Sequence, residues 1–207
     1  MHKTAEENAK RFFETYVSQN NENVSFLEIG SYLSSFNIRS LAPTESNYVG
    51  VDLGTGPGVD IVLTDPYKLP FKDNTFDYVI SSSCFEHSEF FWVLFLEIMR
   101  VLKPTGLFYL NAPSNGDFHR FPVDCWRFYP DSGEALSNWA KRNNYNSGVV
   151  EQYTSNNETD IWSDYVSIFI KDINTIEKYP NRITTNFNNY TNGSVFPHNS
   201  LLNKKLW

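Results

Sequence analysis

The fold is decided by residues 47–87, NYVGVDLGTGPGVDIVLTDPYKLPFKDNTFDYVISSSCFEH. The stretch holds three short apolar runs, and each one ends in polar residues where a strand would end: Asp52, Asp65 and the serines at 81–83. Such a rhythm is typical of parallel strands, which deliver their last side chains to one edge of a sheet. Because that edge binds ligands in open α/β folds, the sequence predicts a ligand site there.

Composition limits the classes of protein that this chain can represent. With 207 residues, 41% of them hydrophobic, we expect one folded domain. A net charge of −7 disfavours a phosphate-binding surface, so no nucleic acid partner is expected. Cys84 and Cys125 are too few for a zinc or disulfide framework, which indicates reduced thiols, a cytoplasmic location and no metal site. The charged N-terminal stretch predicts neither a signal peptide nor a membrane span.

Hydrophobic periodicity along the chain predicts alternating helices and strands. The predicted helices cover residues 3–18, a short stretch at 31–43, 86–102 and the segment after 131, and the predicted strands cover 24–30, 48–52, 60–64, 76–83 and 106–114. Two further strands, around 145–155 and 160–172, are separated by a short polar loop, which favours an antiparallel hairpin. We therefore expect an α/β fold over residues 1–180, with a single doubly wound, mostly parallel sheet that ends in this hairpin. The Asn-rich residues 181–207 show little periodicity and are expected to form a loosely attached tail.

The ends of the first two strands carry the first candidate binding residues. Glu28 and Gly30 lie in a turn after strand 24–30, where backbone N–H groups can approach a ligand closely, although an ordinary strand-to-helix turn would look the same. Asp52 follows about twenty residues later, where a carboxylate accepts hydrogen bonds from ribose hydroxyls. Asp65 could accept from an adenine amine or simply cap a turn that begins at a proline. The GTGPG segment at 54–58 follows the wrong strand for a phosphate loop and is interpreted as a flexible turn.

Four segments together, LEIGS, YVGVDL, TDPYKLPFKDNTFDYVISSSCFEH and IMRVLKPTGLFYLNAPS, resemble the class I S-adenosylmethionine-dependent methyltransferases, which have a Rossmann-like sheet. The resemblance covers residues 24–114 and implies S-adenosylmethionine as the cofactor. It implies that Glu28 and Gly30 lie at the methionine moiety, Asp52 at the ribose and Asp65 at the adenine. Tyr32 and Ser34 stand where the family has further glycines. The complete set of expected cofactor contacts is Glu28, Gly30, Ser31, Asp52, Leu53, Asp65, Pro66, Ser82 and Ser83.

Two histidines are candidates for a general base, which methyl transfer needs only when the acceptor carries a proton. His87 follows the strand at 76–83, and His119 lies in an aromatic, charged loop at 115–131. That loop lies where the family covers its acceptor, so its polar and aromatic members are candidate substrate contacts. They are Arg120, Asp124, Trp126, Arg127 and Tyr129. An equally weighted alternative is that the aromatic residues pack the loop while the arginines pair with nearby aspartates.

The apolar residues of helix 90–102 have two interpretations. They can pack in the core, or they can line a lipid pocket or a homodimer seam. The predicted function is methyl transfer to a small-molecule or glycan-precursor acceptor by in-line displacement. A non-catalytic, methyltransferase-like binding or scaffold subunit is the alternative, and a nicotinamide-dependent oxidoreductase is disfavoured by the altered glycine loop and the acidic edge.

Overall fold

A computed structural model of the chain describes residues 3–17, 23–33, 35–156, 161–198 and 200–205. In these ranges the α-helices are Lys3–Tyr16 (α1), Phe91–Val101 (α2), Ser132–Arg142 (α3) and Ile183–Asn186 (α4). The strands are Ser25–Ile29 (β1), Asn47–Asp52 (β2), Ile61–Val62 (β3), Phe76–Ser82 (β4), Leu102–Pro113 (β5), Gly148–Ser155 (β6), Asp164–Ile170 (β7) and Tyr190–Val195 (β8). Short 3-10 turns span Ile38–Leu41, Phe85–His87 and Ile173–Lys178.

The strands form one eight-stranded sheet in the order β3-β2-β1-β4-β5-β7-β6-β8. Strands β1 to β5 pair in parallel, whereas β7 is antiparallel to both β5 and β6. The predicted doubly wound sheet with a closing antiparallel hairpin is therefore confirmed. Since β1 lies between β2 and β4, the chain segments that leave these three strands meet at one edge.

Helices cover both faces of the sheet. On one face, α1 buries Phe12 and Phe13 against aromatic residues of the strands, such as Phe26 and Tyr109. On the other face, α2 and α3 pack over a second core. Two layers of helix on one sheet explain why the strand residues are apolar on both sides. Across the described segments, no helix is both long and apolar enough to cross a membrane.

Three predicted elements are shorter in the structure. The helix expected at 86–102 begins at Phe91, because the chain after Phe85–His87 is extended at Ser88 (φ −92°, ψ 111°), and it ends where β5 begins at Leu102. The helix expected at 31–43 is reduced to the 3-10 turn Ile38–Leu41. The strand expected at 60–64 pairs only over Ile61–Val62, since the Asp60 carboxylate instead accepts from the backbone N–H of Gly50.

Residues after 180 are attached more firmly than predicted. Strand β8 pairs antiparallel with β6, and Tyr190 and Ile183 are buried. The carboxylate of Glu151 in β6 accepts hydrogen bonds from the backbone N–H groups of Ile183 (2.7 Å) and Thr184 (3.1 Å). The loose attachment predicted from the Asn-rich composition is therefore wrong for residues 183–195, because a buried acceptor and two buried apolar side chains hold them.

Candidate functional site

A cavity of about 1200 Å³ opens at the carboxyl edge of the parallel strands. It is bounded by the ends of β1, β2 and β4, by residues 119–123 of the loop after β5, and by Trp162. Most of the predicted site residues line it: Glu28, Gly30, Ser31, Asp52, Leu53, Pro66, Ser82, Ser83, His87, His119 and Arg120. The others lie outside its lining: Asp65, Asp124, Trp126, Arg127 and Tyr129.

The turn after β1 presents its backbone to this cavity. Gly30 has φ +76°, a left-handed conformation that side chains disfavour. The N–H groups of Gly30 and Ser31 both donate to the carbonyl of Val51, at 3.0 and 3.1 Å, which ties the turn to β2. The Ser31 hydroxyl oxygen is buried and has no hydrogen-bond partner among the described residues. A buried, unpaired hydroxyl that faces a cavity is available to a ligand.

The turn keeps its shape without the family's later glycines. The backbone N–H of Tyr32 donates to the Asp52 carboxylate at 3.1 Å, and that of Leu33 donates to the carbonyl of Pro57 at 2.8 Å. A Cβ atom on Gly56 would lie 2.3 Å from the Tyr32 ring. The segment at 54–58 is thus a turn, as predicted, and it packs against the candidate cofactor turn.

Asp52 lies at the end of β2, half-buried on the cavity wall. Its Oδ1 accepts hydrogen bonds from the N–H groups of Leu53 (2.7 Å) and Gly54 (3.2 Å), and its Oδ2 accepts from Tyr32. These bonds fix the orientation of the carboxylate. Since each carboxylate oxygen has two lone pairs, Oδ2 can still accept a ligand hydroxyl.

Glu28 lies beneath the turn and contributes a weakly acidic group. Burial raises the pKa of its carboxyl to about 7, although the hydrogen bond from the Tyr48 hydroxyl (2.9 Å) and the Arg39 charge both lower it. The Glu28 side chain is therefore close to half-ionised at neutral pH, and a bound cation would favour its charged form.

Asp65 occupies a different position from the one expected. It is exposed, and its Oδ1 accepts from the backbone N–H of Tyr67 at 2.8 Å, two residues on. This is the turn cap that the sequence left open as the alternative. The neighbouring Pro66 and Tyr67 line the cavity in its place.

On the β4 side, the cavity wall is formed by Ser82, Ser83 and Cys84. The Ser82 hydroxyl is buried and has no hydrogen-bond partner in the described ranges. Ser83 adopts φ +53°, with its N–H donated to the carbonyl of Asn111. Burial raises the pKa of the Cys84 thiol to about 12, so this cysteine is a neutral, unreactive wall residue.

His87 and His119 come together at the cavity wall. Their ring centroids are 5.1 Å apart and the rings are nearly perpendicular. Nδ1 of His87 lies 2.5 Å from the carbonyl of Val123, and Nδ1 of His119 lies 3.0 Å from the carbonyl of Asp117. Burial lowers the pKa of His87, so the neutral imidazole predominates at neutral pH.

An ion pair between two residues of the loop at 115–131 stabilises that loop. Arg127 donates to both carboxylate oxygens of Asp124, at 2.6 and 2.9 Å, and to the carbonyl of Asp117. The Asp124 side chain is only 2% exposed, and it also accepts from the backbone N–H of His119. The hydrogen bonds from Arg127 hold the pKa of Asp124 well below its usual range. Asp124 and Arg127 therefore stabilise the conformation of the loop, and neither residue lines the cavity.

The other three predicted substrate contacts differ in whether they line the cavity. Trp126 donates its indole N–H to the carbonyl of Ser88 and packs edge-on against Phe91, so it anchors the loop to α2. Tyr129 is 58% exposed and lies outside the cavity. Arg120 is exposed and lines the cavity, and its guanidinium has no hydrogen bond or ion pair with the residues that the structure describes. Of the five predicted substrate contacts, only Arg120 lines the cavity.

Residues 27–110, which begin within β1 and end within β5, match the family described as a methyltransferase domain. This segment, about two fifths of the chain, is therefore similar to that family. The resemblance to methyltransferases that the sequence motifs indicated is thereby confirmed.

Curated relatives of this segment include methyltransferases of mycobacteria. A phthiotriol/phenolphthiotriol dimycocerosates methyltransferase of Mycobacterium tuberculosis (strain ATCC 25177 / H37Ra) is 32% identical over 106 residues, 44% of this chain and 37% of the relative. A homologous enzyme of Mycobacterium ulcerans (strain Agy99) is 29% identical over 141 residues, 61% of this chain and 48% of the relative. The chain thus spans less than half the length of these relatives.

Solved structures extend the likeness beyond the matched segment. The Burkholderia thailandensis 1,6-didemethyltoxoflavin-N1-methyltransferase, crystallised with 1,6-didemethyltoxoflavin and S-adenosylhomocysteine, superposes with a TM-score of 0.62 at 14% identity. The match covers 81% of this chain and 78% of that enzyme, and at this identity it establishes the shared fold. S-adenosylmethionine, whose demethylated product is bound in that enzyme, is therefore the cofactor to compare with the cavity.

The lining of the cavity fits that cofactor. Unpaired buried hydroxyls of Ser31 and Ser82 suit the amino-acid end, and the fixed carboxylate of Asp52 suits two ribose hydroxyls. The carboxyls of Glu28 and Asp52 suit a cationic sulfonium. A volume of about 1200 Å³ exceeds the usual range of ligand pockets and leaves room for an acceptor beside the cofactor.

Three polar or aromatic residues that line the cavity are additional to the predicted site residues: Glu86, Tyr67 and Trp162. The Oε2 atom of Glu86 has no hydrogen-bond partner in the described part of the chain. Tyr67 could have been found, because it follows Pro66 directly. Trp162 stacks edge-on on His119 from a loop 43 positions later in the chain, and no local pattern signals such a contact.

Proposed function

We propose that this chain transfers a methyl group from S-adenosylmethionine to a small-molecule or glycan-precursor acceptor. The observation that carries the proposal is that one cavity joins the end of β2, with Asp52, to the end of β4 and the loop, with His87 and His119. In the sheet order β2-β1-β4, the proposed cofactor lies across the ends of β2 and β1 and reaches Ser82 and Ser83 at the end of β4. The proposed acceptor binds beyond these serines, against the imidazoles of His87 and His119.

The proposed reaction is an in-line displacement. The sulfonium is already an activated leaving group, so alignment of the acceptor with the methyl group supplies much of the acceleration. Where the acceptor carries a proton, His119 and His87 are the proposed groups that activate it. Since burial lowers the pKa of His87, its imidazole is in the neutral form that this role requires.

Arg120 is the proposed contact that selects the acceptor. Its exposed guanidinium lies at the cavity beside the aromatic Phe121 and Trp162. A guanidinium binds carboxylate or phosphate groups, and aromatic faces pack against sugar or heterocyclic rings. By their names, the mycobacterial and Burkholderia methyltransferases act on very different acceptors, so the acceptor class proposed here rests on this chain's own residues.

Calorimetric titration of the chain with S-adenosylhomocysteine tests the cofactor half of the proposal. We expect one binding site per chain. The acceptor half is tested by release of S-adenosylhomocysteine from S-adenosylmethionine with anionic sugar and heterocyclic acceptors. Arg120→Ala should raise the acceptor KM without changing the cofactor Kd, whereas a chain that binds neither cofactor form would refute the proposal.

A second function, that of a binding or scaffold subunit, is favoured by an aromatic groove between α2 and α3. The groove is lined by Phe91, Trp92 and Trp139, and Phe90 and Val93 are exposed on the same helix. Homodimerisation through helix 90–102 stays a prediction, although Phe95 and other residues of α2 are already buried in the core. Sedimentation of the isolated chain measures its oligomeric state, and methyl turnover by that chain would exclude a purely structural role.

A cytoplasmic location also stays a prediction. It rests on the two cysteines, which are both free thiols in the described part of the chain. No nucleic acid partner is proposed, since the net charge of −7 opposes binding to phosphates.

A further inference from the structure

Three side chains with metal-ligating atoms meet at the cavity wall. Glu86, His87 and His119 each offer one ligand atom, and these atoms all lie within 4.8 Å of one another. Two ligands of a tetrahedral zinc ion, each about 2.1 Å from the metal, are about 3.4 Å apart, so side-chain shifts on the order of 1 Å would close the group around an ion. The cluster combines two adjacent residues of the 3-10 turn with one residue from the loop after β5.

Hydrogen bonds to backbone carbonyls restrain both imidazoles. Nδ1 of His87 lies at hydrogen-bond distance from the carbonyl of Val123, and Nδ1 of His119 lies at such a distance from the carbonyl of Asp117. A carbonyl only accepts, so Nδ1 of His87 carries the proton and its Nε2 keeps its lone pair. We assign the same tautomer to His119, whose Nδ1 is nearer to the Asp117 carbonyl (3.0 Å) than to Nη2 of Arg127 (3.5 Å). Backbone carbonyls hold metal-binding histidines in this same way and fix their tautomer.

The carboxylate of Glu86 supplies the negative charge. Its side chain is 1% exposed, and its Oε2 has no hydrogen-bond partner within the described ranges. Burial raises the pKa of Glu86 to about 8, with further contributions from the charges of Asp164 and Asp124. A bound cation would offset the free-energy cost of ionising this buried carboxyl, because it stabilises the carboxylate. The nearby Arg127 charge opposes a cation but is neutralised by Asp124.

We propose that Glu86, His87 and His119 bind a divalent transition-metal ion of the zinc type at the β4 side of the cavity. Two imidazoles and one carboxylate form the donor set of catalytic zinc and non-haem iron sites, which keep one or more positions open. Magnesium and calcium prefer all-oxygen ligands, so they are disfavoured. Because all three residues line the cavity, the open position faces the space assigned to the acceptor.

The role of the ion rests on the proposed function, whereas its binding does not. An acceptor hydroxyl that ligates the ion has a lowered pKa and releases its proton to solvent. The oxygen–methyl bond then forms as the sulfur–methyl bond breaks, and the electron pair of that bond stays on sulfur. A nitrogen that ligates a metal has no lone pair for a proton. In the metal-bound enzyme, His87 and His119 therefore act as ligands instead of bases.

The test is calorimetric titration with Zn²⁺ alone, after treatment of the full chain with a chelator and removal of the chelator. Cys125→Ser serves as the background, since this exposed thiol could bind zinc by itself. We expect one ion per chain, and an affinity reduced by at least about 100-fold in both Glu86→Gln and His119→Ala. His198→Gln is the matched control, because His198 and Glu134 form a histidine–glutamate pair outside the cavity.

Unchanged zinc affinity in Glu86→Gln and His119→Ala would overturn the proposal, and so would an equal loss in His198→Gln. Should the Glu86 variant fail to fold, His119→Ala decides alone, since the His119 side chain is 38% exposed. Co²⁺ absorption of the Cys125→Ser chain adds an independent readout: visible bands without thiolate charge transfer support the site, and a thiolate band overturns it. Titration with S-adenosylhomocysteine in the presence of chelator separates the two proposals. Cofactor binding without zinc binding contradicts only the metal site, and the reverse contradicts only the methyl transfer.

Discussion

Gly30 lies against Cys84 so closely that a Cβ atom on Gly30 would be 2.7 Å from both Cβ and Sγ of the cysteine. Gly30 follows β1 and Cys84 follows β4, and these two strands are neighbours in the sheet. The contact therefore fixes the distance between the candidate cofactor turn and the wall of the acceptor side. A side chain at position 30 would have to push the two apart.

Gly30→Ala is expected to destabilise the fold and weaken cofactor binding. The alanine would have to adopt φ +76° and would overlap Cys84, at a combined cost on the order of 3 kcal/mol. Chemical denaturation measures the free energy of unfolding. Gly54→Ala is the matched control, because a Cβ there has nothing within 4 Å, and its free energy of unfolding should change by less than about 0.5 kcal/mol. Equal effects of the two substitutions would contradict the contact.

Asp52→Asn is expected to raise the Kd of S-adenosylhomocysteine about 10- to 100-fold, since a charged acceptor of ribose hydroxyls is lost. The shape of the side chain and most of its backbone hydrogen bonds are kept, so the fold should persist. Calorimetry measures the Kd. Glu45→Gln provides the control, because Glu45 is an exposed carboxylate outside the cavity. An unchanged Kd in the Asp52 variant would refute the ribose assignment.

Asp65→Asn distinguishes a turn cap from an adenine contact. Asp65 is exposed and accepts from the N–H of Tyr67, and an asparagine oxygen can do the same. We therefore expect less than about a threefold change in the Kd of S-adenosylhomocysteine, far below the effect at Asp52. A tenfold or larger loss would restore the contact with adenine that the family resemblance implies.

The parallel half of the fold could be predicted because its signals are local. Each strand from β1 to β5 is an apolar run that ends in a polar or turn residue, and its pairing partner follows from the usual order of such sheets. Asp52 and Gly30 were found for the same reason, since each immediately follows a strand. Strand β8 was missed because its buried Tyr190 is surrounded by asparagines, and only pairing with β6 reveals its role.

The candidate site was predicted less completely, because long-range contacts decide it. A pair such as Asp124 and Arg127 looks the same in the sequence whether it binds a substrate or holds its own loop. Only the burial of Asp124 and its bond to the His119 backbone distinguish the two. The edge-on packing of Trp162 on His119 joins two distant loops, and no sequence periodicity encodes it.

Burial of Glu86 predicts a pH-dependent stability of the metal-free protein. The pKa of this carboxyl is raised to about 8 in the folded state, whereas in the unfolded chain it lies near 4.5. Between these values the folded state holds a proton that the unfolded state has released. Stability should therefore fall as pH rises from 5 to 8, by up to about 1.4 kcal/mol per pH unit from this group. Glu28, with a pKa of about 7, adds to the fall below pH 7.

Urea unfolding at pH 5, 6, 7 and 8 with EDTA present checks this dependence. Glu86→Gln removes the titrating group and keeps its shape, so we expect a shallower fall with pH than in the unmutated chain. His87 and Glu28 titrate in both proteins, and the difference between the two curves therefore isolates Glu86. Glu177→Gln, which replaces an exposed carboxyl, should follow the unmutated curve. Parallel curves for Glu86→Gln and the unmutated chain would show that the buried carboxyl is not protonated.

The ion pair of Asp124 and Arg127 should control the acceptor side of the cavity without touching the cofactor side. Asp124→Asn leaves the Arg127 charge without its partner, at a cost on the order of 3 kcal/mol, because Asp124 is almost fully buried. We expect faster amide hydrogen exchange over residues 115–131 and a higher acceptor KM, with the Kd of S-adenosylhomocysteine unchanged within about twofold. Asp131→Asn is the control, since this exposed carboxylate makes no capping hydrogen bond at the start of α3. If exchange in the loop stayed slow in Asp124→Asn, the loop would be held by Trp126 on α2 instead.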